Sequence, residues 1–196
     1  MEILAAILAG FLAAGTGWFL QTRLENTRLK RLRTLLLVGM RDDLNNAIEL
    51  LGRLSDDWDK SGVIWFTTIN EFTESRAVYV NNKDWITLLH NDDLRIKILR
   101  YYRRSANHIL QLQNSQQRKY DIQRKYHELV LDLRRQEPTA STEEISASAV
   151  KLLDTEDREL GFINEQLPKL IQQLDRFKAD AQEILKEIGP LAARSW

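Results

Sequence analysis

Five consecutive residues, Arg100, Tyr101, Tyr102, Arg103 and Arg104, combine guanidinium forks with aromatic rings. A guanidinium matches phosphate bidentately and an aromatic face accepts a base, so this run is a candidate site for an anionic small molecule or a nucleotide. Arg118, Lys119, Arg124 and Lys125 extend it into a basic stripe. Residues 95–135 hold 11 basic against 3 acidic residues, whereas residues 38–94 hold 5 against 11 and residues 136–196 hold 7 against 12. Pairs between helices can cancel much of that block pattern, each pair being weak when exposed. The stripe is therefore a solvated pairing face, a specific site for a nucleotide or nucleic acid, or a looser electrostatic contact with anionic lipid or a partner.

Other chemistry finds no foothold. With no cysteine, the chain offers no disulfide, no thiolate metal site and no cysteine nucleophile. His90, His108 and His127 lack the i, i+3 or i, i+4 spacing of helical metal ligands and read as helix-surface residues, so no metal site is expected. Asp154, Glu156, Asp157 and Glu159 open a helix, where exposed N–H groups and the helix dipole favour carboxylates. No nucleophile elbow, phosphate loop, dinucleotide fingerprint or zinc-protease motif occurs. No catalytic residue is nominated, no cofactor is expected, and the chain reads as a non-enzyme.

The elements that must position these residues are helical. Among 196 residues, 8 glycines and 3 prolines are too few for the many tight turns of a sandwich or barrel. Charged residues make up 29%, with 28 basic balanced by 28 acidic. The fold class expected is all-α: a single N-terminal transmembrane helix followed by a cytoplasmic bundle of long antiparallel helices. Residues 1–22 are the anchor, 23–190 the bundle and 191–196 a loose tail.

Ile3 to Thr22 is a run of 20 residues without a charge, about 30 Å as a helix and enough to span a bilayer. Met1 and Glu2 bring no positive charge ahead of it, so it reads as a retained anchor rather than a cleaved signal. Arg23, Arg28, Lys30, Arg31 and Arg33 follow directly, which places the N-terminus outside and the rest in the cytoplasm. Trp18 and Phe19 suit the inner headgroup belt. Ala6, Gly10, Ala13, Ala14 and Gly17 line one face, and small residues let membrane helices approach closely, so a homo-oligomer is expected.

Past the span, apolar residues from Leu20 to Trp58 keep helical spacing up to a break at Asp59–Gly62. Val63 to Val80 reads as a second, shorter helix, although its start is β-branched enough for a strand. Asp84 to Leu89 gives a helical turn, and Asn91 or Asp92 caps a helix that runs to Gln136, about 67 Å long. So long a helix needs a long partner, and Leu24–Trp58 is the one expected, antiparallel to it. Pro138–Ser141 is a loop, and Ser141 with Glu144 forms a capping-box pattern. A new helix starts at Asp154, is kinked by Pro168 and stops at Gly189–Pro190.

These features suggest a membrane tether, scaffold or sensor that acts by self-association and by binding a protein partner at the inner face of a cell membrane. The layout also resembles that of small bacterial antiphage effectors, which join a membrane segment to a sensor domain. That resemblance implies a ligand-gated alternative, in which an anionic messenger or partner binds the basic helix and triggers membrane permeabilisation.

Overall fold

The computed structural model describes residues 2–193, with side chains over residues 15–192. All elements among them are helical: α1 (Glu2–Ser61), α2 (Phe66–Glu74), α3 (Ala77–Asn82), a 3₁₀ helix (Lys83–Leu88), α4 (Asp92–Gln136), α5 (Thr142–Leu152), α6 (Asp154–Gln172) and α7 (Leu174–Ala193).

Helix α1 stops at Gly62, whose φ of 63° is the left-handed conformation that glycine adopts without strain, and whose N–H reaches the Trp58 carbonyl at 2.7 Å. Trp65 is extended, at φ −80° and ψ 125°. The single helix expected over Val63–Val80 is therefore two helices. They part at Ser75 and Arg76, where the Ser75 hydroxyl donates to the Phe72 carbonyl at 2.9 Å. No strand forms over residues 63–69, because Phe66 to Ile69 already belong to α2.

Named contacts fix the topology. Arg53 of α1 pairs with Glu71 at 2.8 Å, and Asp43 of α1 meets the Tyr79 N–H at 3.0 Å. From the other side, Tyr120 of α4 lies on Phe66 and Tyr102 of α4 on Tyr79. Both long helices thus run antiparallel to the α2–α3 arm and parallel to one another. Lys97 pairs with Glu183 and Glu187, Arg118 with Glu159, and Lys125 with Glu156, so α5–α6–α7 returns antiparallel to α4. The result is an up-down-up-down bundle with four arms, two of them broken helices.

The expected antiparallel pairing of α1 with α4 is corrected by this register. The main partner of α1 is α7, and α4 packs on α5, α6 and α7. Helix length misled the reading: an arm of three short helices covers a long neighbour as well as one unbroken helix does.

The core takes Leu37, Met40, Leu44, Leu51 and Leu54 from α1, Ile69 and Phe72 from α2, Leu94, Ile98 and Leu112 from α4, and Leu167, Leu174, Ala181 and Ile188 from α6–α7. It begins at Leu36; from Gly15 to Leu35 no residue of α1 is buried. This projecting stretch, about 30 Å long, carries Trp18 and Leu24 at 72% and 71% exposure. Among the described residues no helix is long and apolar enough to cross a membrane. Of the apolar run Ile3–Thr22, residues 3–14 lie outside the described side chains, and Ala6, Gly10, Ala13 and Ala14 lie there with them. Gly17 is described, and a Cβ built on it would meet nothing within 4 Å.

At the other end, α7 continues through Gly189 and Pro190 to Ala193, with Ala192 buried. The stop expected at Gly189–Pro190 is overridden by tertiary packing, and residues 191–193 are part of the bundle. Pro168 lies within α6, and the break comes later, at Gln173. The capping box at Ser141 forms as expected, with the Glu144 N–H donating to Ser141 Oγ at 3.2 Å and the Ser141 N–H to the Glu144 carboxylate at 2.9 Å.

Candidate functional site

The buried face of α4 is set by Leu94, Ile98, Tyr101, Tyr102, Ser105, His108, Ile109 and Leu112. That stripe divides the five-residue run. Tyr101 and Tyr102 point into the core at 3% and 1% exposure, while Arg100, Arg103 and Arg104 face solvent. Tyr102 stacks on Tyr79 with centroids 3.9 Å apart and planes 1° from parallel, and Tyr101 meets Tyr102 edge-on at 5.3 Å. Their faces are occupied by one another, so the expected base-stacking platform does not exist.

Around these rings lies a polar cluster that the sequence reading missed. Asp43, 6% exposed, accepts the backbone N–H groups of Val78 and Tyr79 and so caps α3 from across the interface. Burial pushes its carboxyl up to about 6 in spite of those two bonds. Burial also lowers the Arg76 pKa, whereas it raises those of Tyr79, Tyr101 and Tyr102. Arg76 Nε and the hydroxyls of Tyr101 and Tyr102 are buried without a hydrogen-bond partner. Asp43 could have been noticed, since it falls on the apolar stripe of Met40, Leu44 and Ala47. Arg76 carries no such mark.

Outside the cluster, α4 and α7 enclose a cleft of about 220 Å³. Lys97, Arg100 and Arg104 line it from α4, Arg176, Asp180 and Glu183 line it from α7, and Tyr101 closes its floor. Lys97 is bound at 2.7 Å by Glu183 and at 2.6 Å by Glu187, and both bonds raise its pKa. Among the described residues Arg100, Arg104 and Arg176 form no ion pair. Arg103, exposed on another face, is not part of the cleft. The contribution of α7 was invisible in sequence because it depends on the register of two antiparallel helices.

In the remainder of the basic stripe three of the four cations are paired, Lys119 being in no ion pair among the described residues. Arg118 grips Glu159 with two bonds of 2.7 and 2.6 Å, Lys125 reaches Glu156 at 3.4 Å, and Arg124 holds Asp121 at 3.0 Å. No chain has been found that says what either half does: no family model, curated protein or solved structure matches this one.

His108 is not the surface residue expected. It is 5% exposed, its Nε2 lies 2.8 Å from the Leu170 carbonyl, and its ring packs 5.0 Å from Phe177. The Leu170 carbonyl sits in the last turn of α6, just ahead of the break at Gln173, so the imidazole serves a helix end; burial lowers its pKa. Among the described residues no three His, Asp or Glu side chains converge as a metal site. Arg23, Arg28, Lys30, Arg31 and Arg33 all lie on the projecting part of α1, and none is in an ion pair with another described residue.

Proposed function

We propose that the chain is a non-enzymatic, single-pass membrane tether: anchored through Ile3–Thr22, N-terminus outside, with the helical bundle in the cytoplasm, self-associating and recruiting a protein partner at the inner face of the membrane. One observation supports this above the others. Helix α1 is continuous for 60 residues, so the apolar run, the unburied basic stretch Arg23–Arg33 and the first arm of the bundle form one rod. A basic segment beside an apolar run is retained on the cytoplasmic side and held by anionic headgroups. The test is fractionation of the full chain and of a chain lacking residues 1–22. The full chain is expected in the membrane pellet after alkaline carbonate washing, and the shortened one in the supernatant with its helicity intact. A full chain that washes off, or a shortened chain that is unfolded, refutes the reading.

A second reading, a ligand-gated membrane effector, is favoured by the three arginines left unpaired in the α4–α7 cleft. Toxicity on expression that requires both the span and Arg100 and Arg104 is its expected mark, and a harmless full chain counts against it.

A further inference from the structure

We propose that the cleft between α4 and α7 binds a small phosphomonoester that carries a hydroxyl or amino group beside its phosphate. The observation that leads there is a charge imbalance with no structural purpose. Arg100 and Arg104 are one helical turn apart, and like charges at that spacing destabilise a helix. Arg176 adds a third positive charge from the facing helix, and Asp180 is the one lining carboxylate in no ion pair. Farther along α4 the same situation is resolved by Glu159 and Glu156. Here it is left open: counting Glu187, which shares Lys97 with Glu183, four cations meet three carboxylates, and a phosphomonoester supplies the missing negative charge.

A second observation is independent of charge. Tyr101, 3% exposed, lines the cleft with a buried hydroxyl that has no partner and that feels the charges of both Arg76 and Asp180. An orphaned buried hydroxyl is costly unless something bonds to it. Each feature then has a role. Arg104 and Arg176 grip the phosphate bidentately and Arg100 adds charge. Tyr101 donates to the ligand, and Asp180 accepts from the group beside the phosphate. At about 220 Å³ the cleft is smaller than sites that enclose drug-sized ligands. A sugar phosphate or glycerol phosphate fits, and a dinucleotide does not. Binding of this kind does not depend on the anchoring reading, which is tested by fractionation alone.

Calorimetric titration of the full chain in detergent micelles tests it, with glycerol 3-phosphate and methyl phosphate as soluble probes and phosphatidic acid doped into the micelles as the lipid source. Glycerol 3-phosphate is expected to bind at one site per chain, and methyl phosphate several-fold more weakly because it lacks the group for Asp180. Arg104→Ala and Arg176→Ala should each weaken binding about tenfold or more, as loss of a charged hydrogen bond does. Arg103→Ala, on the other face, should have almost no effect, and helicity should be unchanged in all three. Asp180→Asn should erase the preference for glycerol 3-phosphate over methyl phosphate, which a merely structural role would not do. Binding of phosphatidic acid alone, whose phosphate has no free hydroxyl or amino group beside it, overturns the proposal, because Asp180 then has nothing to accept from. If none of the three probes saturates below about 10 mM, or if the cleft variants behave like Arg103→Ala, the proposal is wrong.

Discussion

Replacing Asp43 by asparagine should remove a pH dependence from the stability of the bundle. Burial carries the Asp43 carboxyl from its ordinary 3.8 to about 6, a difference of about 3 kcal/mol between its protonated and ionised forms. Because the folded state holds this proton more tightly than the unfolded chain, the stability it contributes is complete below about pH 4 and is lost as pH rises through about 6. Arg76, Tyr79, Tyr102 and Asp42 act on the carboxyl, and among them only Asp42 is a second carboxylate. The amide of an asparagine keeps an acceptor for the Tyr79 N–H and has nothing to ionise. Urea titrations followed by circular dichroism in micelles, at about pH 4 and pH 7, give the comparison. With a slope of about 2 kcal/mol per molar, the wild-type midpoint should fall by about 1–1.5 M relative to that of Asp43→Asn across this interval. The difference between the two proteins cancels the contribution of every other titrating group. Parallel pH profiles for the two proteins, offset by a constant, would show that Asp43 is already ionised at no cost and would refute the argument.

Two glycines on α1 should respond in opposite directions. A Cβ at Gly39 would lie 2.6 Å from Val78 Cγ1, so Gly39→Ala should cost about 1–2 kcal/mol after its helix-propensity gain. At Gly52 a Cβ meets nothing within 4 Å, and Gly52→Ala should gain up to about 1 kcal/mol, both read from thermal midpoints. Tyr102→Phe deletes a buried hydroxyl without a partner and should raise stability by about 1 kcal/mol, where most tyrosine-to-phenylalanine changes lower it. His108 has its pKa lowered by burial, so its contribution is present above about pH 6.5 and lost as pH falls. His108→Gln should flatten that acid limb in thermal melts at about pH 5 and pH 7.5.

What was legible in the sequence was periodic or local. Asn91, Ser141 with Glu144, and Gly62 act through neighbours three or four residues away, and each ends or starts a helix where its residue type says it should. The span of α4 followed from spacing alone. What failed depended on distant partners. The gap between α2 and α3 is held by Asp43, more than 30 residues upstream, and nothing around Ser75 announces it. Helix α7 runs through Pro190 because Ala192 has a core to enter. Of the three arginines singled out in the sequence, Arg100 and Arg104 line the cleft and Arg103 does not, and the tyrosines between them are buried. Two adjacent aromatic residues beside a basic cluster look alike whether they face out as a platform or, as here, face in as core.

The unburied stretch of α1 also sets an electrostatic distance. From Thr22 to Leu36, the first buried residue among the described side chains, a helix rises about 21 Å. At physiological ionic strength the Debye length is about 8 Å, so the potential of an anionic bilayer falls to roughly a tenth or less over that interval. Were the chain anchored through Ile3–Thr22 as proposed and standing upright, Arg23–Arg33 would stay nearest the headgroups, while the arginines of the α4–α7 cleft would sit beyond their field. The two basic clusters would answer to different solutions: the first to the lipid composition of the leaflet, the second to the solutes of the compartment the bundle stands in.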